Sequence, residues 1–333
     1  MSPKHHGAIK IVAPIQAAED VERIVLAGAD ELYCGYLPQA WQDIYGDGDF
    51  LNKRQGVKAN LTRPEDLACL ATEAHRLGIP AALTLNTAYS REMLAPVMDI
   101  AGFWVDCGGD AVMVSDLALL MALKDKYPTL QCHLSILANT FNSRTIDFFT
   151  RFGIDRVVLP RELTTSEITQ ITRQFPLLGF EVMSLNDKCP FIDGLCHFYH
   201  ATAYPDGVRL DLQFKEENGE RVICTPDPAY RGHGCAIIAA HATHGGNSES
   251  FFAGNPGCAA CFIDDLAEAG IGYLKLGGRG LPPEMNARNI AFLNQVRHWV
   301  SGGQTNSTAI KDLYRSTFGK PCHPGVCYYR QEG

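Results

Sequence analysis

AALTLNTAYSREMLAPVMDIAGFWVDCGGDAVMVSD, residues 81–116, decides the fold. It opens on a short apolar run, AALTLN (81–86), and passes through the amphipathic stretch REMLAPVMDIAGFWVDCG (91–108). After a Gly-Asp turn it reaches a second short apolar run, AVMVSD (111–116). Apolar runs of this length bounded by turn residues are strand-sized, whereas the longer stretch between them repeats its apolar positions at helical spacing. Both runs are apolar almost throughout, so neither has a polar side to turn to water. That is the pattern of parallel strands covered on both faces, joined by a helical crossover.

The same unit recurs outward in both directions. Strand-like runs lie at IKIVAPI (9–15), ELYCGY (31–36), CHLSILAN (132–139), RVVLPRE (156–162), FEVMSLN (180–186) and YLKLGG (273–278), giving eight with the two above. Amphipathic stretches between them include EDVERIVLAGA (19–29), RPEDLACLATEAHRLG (63–78) and TSEITQITRQF (165–175). Eight strand–helix units predict an α/β chain closed into a single (β/α)8 TIM-like barrel, with an open doubly wound sheet as the alternative. The expected plan is a flexible N-terminus over 1–8, a barrel over 9–302 and a C-terminal extension over 303–333. Two departures break the rhythm, residues 37–63 and a Cys-rich insertion after strand 7, residues 187–260. Both start where a strand ends, which is the face of a barrel that carries chemistry.

Composition narrows the function classes. The chain has 333 residues, 46% hydrophobic and 20% charged, with a formal net charge of -8, a poor balance for gripping phosphate backbone as a main task. No apolar run reaches the roughly 18 residues that span a bilayer, and the N-terminus lacks a secretory apolar core, so a cytoplasmic location without a membrane span is expected. Thiols in a reducing compartment are ligands or inert core groups rather than disulfides. Among the 12 cysteines, Cys189 and Cys196 bracket CPFIDGLC, Cys235 ends RGHGC, and Cys258 and Cys261 form CAAC. Such clustering predicts a soft-metal site, and spacing alone fits an iron–sulfur cluster or zinc. Cys224, Cys322 and Cys327 read as bystanders, and Cys34, Cys69, Cys107 and Cys132 as small buried hydrophobes. His197 and His233 adjoin presumed ligands, while His241 and His244 read as surface residues.

Polar residues at strand ends would converge on the barrel mouth: Asn86, Asp116, Asn139, Arg161, Glu162, Asn186 and Lys275, with Arg279 close behind. Arg161, Lys275 and Arg279 form a cationic set suited to a carboxylate-bearing ligand. An ion pair between Arg161 and Glu162 is the structural alternative. Neither HExxH nor GxSxG occurs, so a peptidase has no evident machinery.

HLSILANTFNSRTIDFFTRFGIDRVVLPRELTTSEI (133–168), with LKLGGR (274–279), resembles the collagenase-like peptidase family U32. The residues that carry the likeness are His133, Ser135, Ala138, Asn139, Asn142, the run 156–163, Glu167 and Ile168. Weaker matches in order, at 13–36, 114–120 and 269–279, extend it over roughly residues 9–285. The resemblance implies a 4Fe-4S cluster on Cys189, Cys196, Cys235 and Cys258, with Cys261 as alternate fourth ligand and zinc as alternative metal. It adds His133 and Asn139 to Arg161, Glu162, Lys275 and Arg279 as candidate catalytic residues. One departure stands out: most members carry Glu before the Gly-Arg of the LKxEGR motif, where this chain has Gly277. Relatives in this family act in oxygen-independent hydroxylation of ubiquinone precursors or of tRNA and ribosomal RNA, and some are implicated in using prephenate as oxygen donor. The expectation is an iron–sulfur hydroxylation or related modification enzyme acting on an acidic small molecule or peptide rather than bulk nucleic acid. The alternatives are a peptidase for unfolded or collagen-like chains, or a metal-stapled scaffold working with a paralogous partner.

Overall fold

The computed structural model describes residues 9–45, 51–54, 59–188, 192–195, 212–215, 221–226, 235–241, 248–253, 257–304 and 306–329. The segment expected to be a flexible N-terminus, 1–8, lies outside them. All eight strand-like runs form strands: β1 (Lys10–Pro14), β2 (Glu31–Cys34), β3 (Ala81–Leu85), β4 (Ala111–Val114), β5 (Gln131–Leu134), β6 (Arg156–Val158), β7 (Gly179–Leu185) and β12 (Tyr273–Leu276). They pair in parallel and close into a barrel in the order β1-β12-β7-β6-β5-β4-β3-β2. The fold is a (β/α)8 barrel.

The strands sort their side chains with period two. One set, including Ile11, Leu32, Leu83, Val112, Leu134, Val182 and Leu274, packs outward in the main core under the helices. The other set faces the lumen, where Val12, Tyr33, Ala82 and Ala111 form a small separate apolar cluster against Tyr273. The covering helices are α1 (Val21–Leu26), α3 (Pro64–Arg76), α4 (Arg91–Asp106), α5 (Leu117–Lys126), α6 (Ser143–Thr150), α7 (Thr165–Gln174), α8 (Ile263–Glu268) and α9 (Pro283–Ser301), with α2 (Gln39–Tyr45) in the first departure. Their starts follow local capping chemistry. Asp116 accepts from the Leu119 amide, Asn142 from Thr145, and Thr164 with Glu167 makes a reciprocal capping box.

The run 132–139 ends sooner as a strand than its apolar pattern suggests. After Leu134 the Ser135 hydroxyl accepts from the Leu137 amide and starts a 3-10 turn over Ile136–Ala138. That turn stops on Asn139, held at φ 54, a left-handed conformation that Asn tolerates better than most residues. The second departure is more ordered in kind than a loop: β8 (Leu212–Lys215), β9 (Arg221–Pro226), β10 (Cys235–His241) and β11 (Ser248–Ala253) form an antiparallel four-stranded sheet. Past α9, helix α10 (Ser307–Phe318) docks through aromatic edges, Phe292 to Tyr314 at 5.9 Å and Phe292 to Phe318 at 5.1 Å. Among the described residues no helix is long and apolar enough to cross a membrane.

Candidate active site at the barrel mouth

Charged groups fill the lumen below the mouth. Arg156, the first residue of β6, donates to both Glu31 oxygens at 2.8 Å and to Glu181 Oε2 at 2.9 Å. Lys275 donates to the other Glu181 oxygen at 2.9 Å and lies over the Tyr33 ring. All four charges are buried and balance, which is how a low-dielectric interior tolerates them. Despite the desolvation that opposes it, Lys275 and Arg156 hold the Glu181 carboxyl down to about 2. Burial lowers Lys275. His133 is 1% exposed, its Nδ1 3.9 Å from Glu31. Burial, with Arg156 next, drives its pKa well below 6.5, so the imidazole is neutral. Lys275 and His133, both read from sequence as candidates for chemistry, thus sit within the lumen network.

Above this layer Arg279 occupies the centre of the mouth. It is 4% exposed, and its guanidinium donates to Thr84 Oγ1 and Asn52 Oδ1, each at 3.0 Å. Both acceptors are neutral, and no carboxylate among the described residues lies within ion-pair distance. Burial pulls its pKa down to about 10, the direction expected of a desolvated cation. The close fit depends on Gly35, where a Cβ would collide with Arg279 Nη1 and Asn60 Oδ1. Asn52 donates to Asn60 Oδ1 at 2.8 Å, and Asn86 accepts from the Lys53 amide while donating to Ser135 Oγ at 3.1 Å. Ser135 is therefore engaged by Asn86.

The rim carries two more guanidiniums. Arg161 donates to Asp193 Oδ2, at 2.9 Å from Nε and 2.5 Å from Nη2, and to the Asp187 carbonyl. Its sequence neighbour Glu162 is exposed, so Arg161 is paired with Asp193 instead. Arg54 pairs with Asp187. Asn186 and Asp187 leave β7 at φ 63 and 57, turning the chain sharply across the mouth. A Cβ at position 277 would collide with the Asp187 carboxylate. The place where the family motif puts a glutamate is thus filled from the neighbouring strand. Gly194 backs onto Asn139, whose side-chain oxygen is buried without a hydrogen-bond partner among the described residues. Asn52, Arg54, Asp187 and Asp193 were not singled out from sequence. Each sits in one of the two departures that leave strand ends, which was the available signal.

Of the thiols expected to hold a metal, Cys189 and Cys196 lie outside the described residues, as do His197 and His233. Cys235 opens β10 opposite Ala253. Cys258 is buried between two segments: it bridges Leu185 at the end of β7 on one side and Cys327 of the C-terminal segment on the other. Its amide donates to the Val326 carbonyl at 2.8 Å, and its carbonyl accepts from the Tyr328 amide at 3.0 Å. Burial pushes its thiol up to about 12, with Cys261, Cys322 and Cys327 adding to the effect. Burial first, then Cys322 and Cys327, also raises Cys261. Cys322 and Cys327, read from sequence as bystanders, stand beside the CAAC pair. Cys69, expected to be buried, is exposed on α3, whereas Cys34 and Cys132 are the buried thiols expected. Soft donors at Cys258 and Cys261 fit a thiolate-bound metal centre in kind. Among the described residues no three His, Cys, Asp or Glu side chains surround a point that would hold one ion.

The "tRNA hydroxylation protein P" of Escherichia coli (strain K12) is 27% identical over 188 residues, 56% of this chain and 38% of that protein. The "Uncharacterized protease MJ0090" of Methanocaldococcus jannaschii is 31% identical over 163 residues, 49% of this chain and 36% of that protein. The matched part thus spans less than two-fifths of either relative. The solved structure "The Structure of the U32 Peptidase Mk0906" superposes with TM-score 0.49 at 15% identity, over 85% of this chain and 98% of that one. The sequence pattern of peptidase family U32 matches residues 16–332. The chain belongs to peptidase family U32.

Proposed function

We propose that this chain is an iron–sulfur enzyme of oxygen-independent hydroxylation or a related modification, with an acidic small molecule or peptide bound at the barrel mouth. Arg279 carries the argument. A guanidinium buried at the mouth and hydrogen-bonded, among the described residues, to neutral oxygens keeps a full charge without an ion-pair partner there, at a cost that an incoming carboxylate would relieve. Arg54 and Arg161 flank it. Their pairing with Asp187 and Asp193 lets the rim exchange internal carboxylates for those of a ligand. Ser135 and Asn86 supply neutral hydrogen-bonding groups beside it. Lys275, neutralised by Glu181, sets the floor.

Support for hydroxylation comes from the relative named for tRNA hydroxylation, and the chain's net charge of -8 favours a small acidic ligand over bulk nucleic acid. When bound, a 4Fe-4S cluster would supply one-electron chemistry, with soft thiolates such as Cys258 holding it. A peptidase reading lacks an activated nucleophile among the described residues, since Ser135 is held by Asn86 and the neutral His133 faces Glu31.

The test is anaerobic purification followed by iron and sulfide determination and titration with dicarboxylic acids. The expected result is roughly four irons per chain with broad visible absorption, and Arg279→Gln weakening dicarboxylate binding at least tenfold with iron unchanged. Stoichiometric zinc in place of iron, or gelatin hydrolysis by metal-free protein, overturns the reading.

A further inference from the structure

Cys258, Cys261, Cys322 and Cys327 come from two segments far apart in sequence, CAAC before α8 and CHPGVC after α10. The fold brings them together. Cys258 and Cys327 face each other in a parallel bridge, flanked by the hydrogen bonds to Val326 and from Tyr328. The other two lie in the same two segments: Cys261 is in the 3-10 turn Ala260–Phe262, whose Phe262 ring packs against Tyr329 at 5.8 Å, and Cys322 opens the CHPGVC run that ends on Cys327. Lys188, in the turn that follows β7, ties the same corner together, donating to the Gly325 carbonyl at 2.8 Å and the Cys327 carbonyl at 2.6 Å.

We propose that Cys258, Cys261, Cys322 and Cys327 are the four ligands of the iron–sulfur cluster, so that the C-terminal segment supplies half of them. This rests on the reading that the chain carries a cluster, and replaces the ligand set that would draw on Cys189, Cys196 and Cys235. Free cysteines serving only as small hydrophobes bury their sulfur, as Cys34 and Cys132 do. Cys261, Cys322 and Cys327 are only half-buried, and they gather where Tyr328 and Tyr329 already supply the apolar packing. The thiols do not surround one ion-sized point. Zinc would require such a point, whereas in a four-iron cube each thiolate binds a different iron at a separate corner. On binding a preformed cluster, each S–H bond is replaced by an S–Fe bond and four protons are released. The cluster would then staple the C-terminal segment to the end of β7, the strand that delivers Asp187 to the mouth.

The experiment compares full-length wild type, Cys322→Ser/Cys327→Ser and Cys189→Ser/Cys196→Ser, all purified anaerobically. Iron, acid-labile sulfide and visible absorption are the readouts, with far-ultraviolet circular dichroism to verify folding. The expected result is at least a tenfold loss of iron from the Cys322/Cys327 variant and wild-type iron in the Cys189/Cys196 variant. Wild-type iron in the Cys322/Cys327 variant overturns the proposal while leaving the proposed function standing. Iron-free wild type overturns both. If both variants lose iron, Cys322→His decides by electron paramagnetic resonance of the reduced protein: altered g-values support Cys322 as a ligand, and an unchanged spectrum refutes it.

Discussion

Asp187 and Gly277 compete for one place at the barrel mouth. Asp187 is a non-glycine residue at φ 57, and its carboxylate fills the space a side chain at 277 would need. The two positions exclude each other, so the carboxylate reaches the mouth from β7 instead of from the turn after β12. Gly277→Glu should therefore destabilise the fold by about 1–3 kcal/mol, as overpacking does. Adding Asp187→Gly should recover most of the loss, because the space and the left-handed backbone are then both relieved. Thermal unfolding of the two variants and the double variant in one buffer is the measurement. A single Gly277→Glu variant as stable as wild type would mean that Asp187 moves aside freely and the exchange of roles is wrong.

At the scale of elements, the strands were legible because burial on both faces leaves an apolar run that periodicity cannot disguise. What faces the lumen was not legible. Lys275 was read as a mouth cation because it lies near a strand end, yet its side chain reaches Glu181 across the neighbouring strand. Glu31, Arg156 and Glu181 each look like strand-edge polar residues in sequence, and only closure of the barrel makes them one network. Cys322 and Cys327 escaped for the same reason: the bridge between Cys258 and Cys327 joins segments on either side of α9 and α10. The network predicts a strong effect from a small change. Glu181→Gln leaves Arg156 and Lys275 sharing one carboxylate, and removing one partner of a buried ion pair costs about 3–5 kcal/mol. Urea unfolding should show the midpoint fall with an unchanged slope. A loss below about 1 kcal/mol would show that the lumen charges are screened by solvent rather than by one another.

Across the whole molecule, the lumen network makes stability depend on acidity in a direction that can be worked out. Glu181 has a native pKa of about 2 against an ordinary 4.5. Between those values the unfolded chain binds a proton that the native protein does not. His133, lowered well below 6.5, behaves likewise between its native value and 6.5. In both windows the unfolded state holds more protons, so stability rises with pH, present in full above about 6.5 and lost as pH falls toward 2. Glu31 opposes this above 4.5, because burial raises its carboxyl and the native state there holds the extra proton. The His133 contribution is the cleaner one to isolate, since Glu181 is already ionised in both states at the top of its window. Replacing His133 with Gln, a polar side chain that does not titrate, should flatten the dependence of the urea midpoint on pH between about 5 and 6.5 and leave the steeper fall below pH 4 intact. An unaltered slope in the upper window would assign that acid sensitivity to groups outside the barrel. A wild-type midpoint constant from pH 4 to 6.5 would refute the charged lumen as the source of the molecule's acid response.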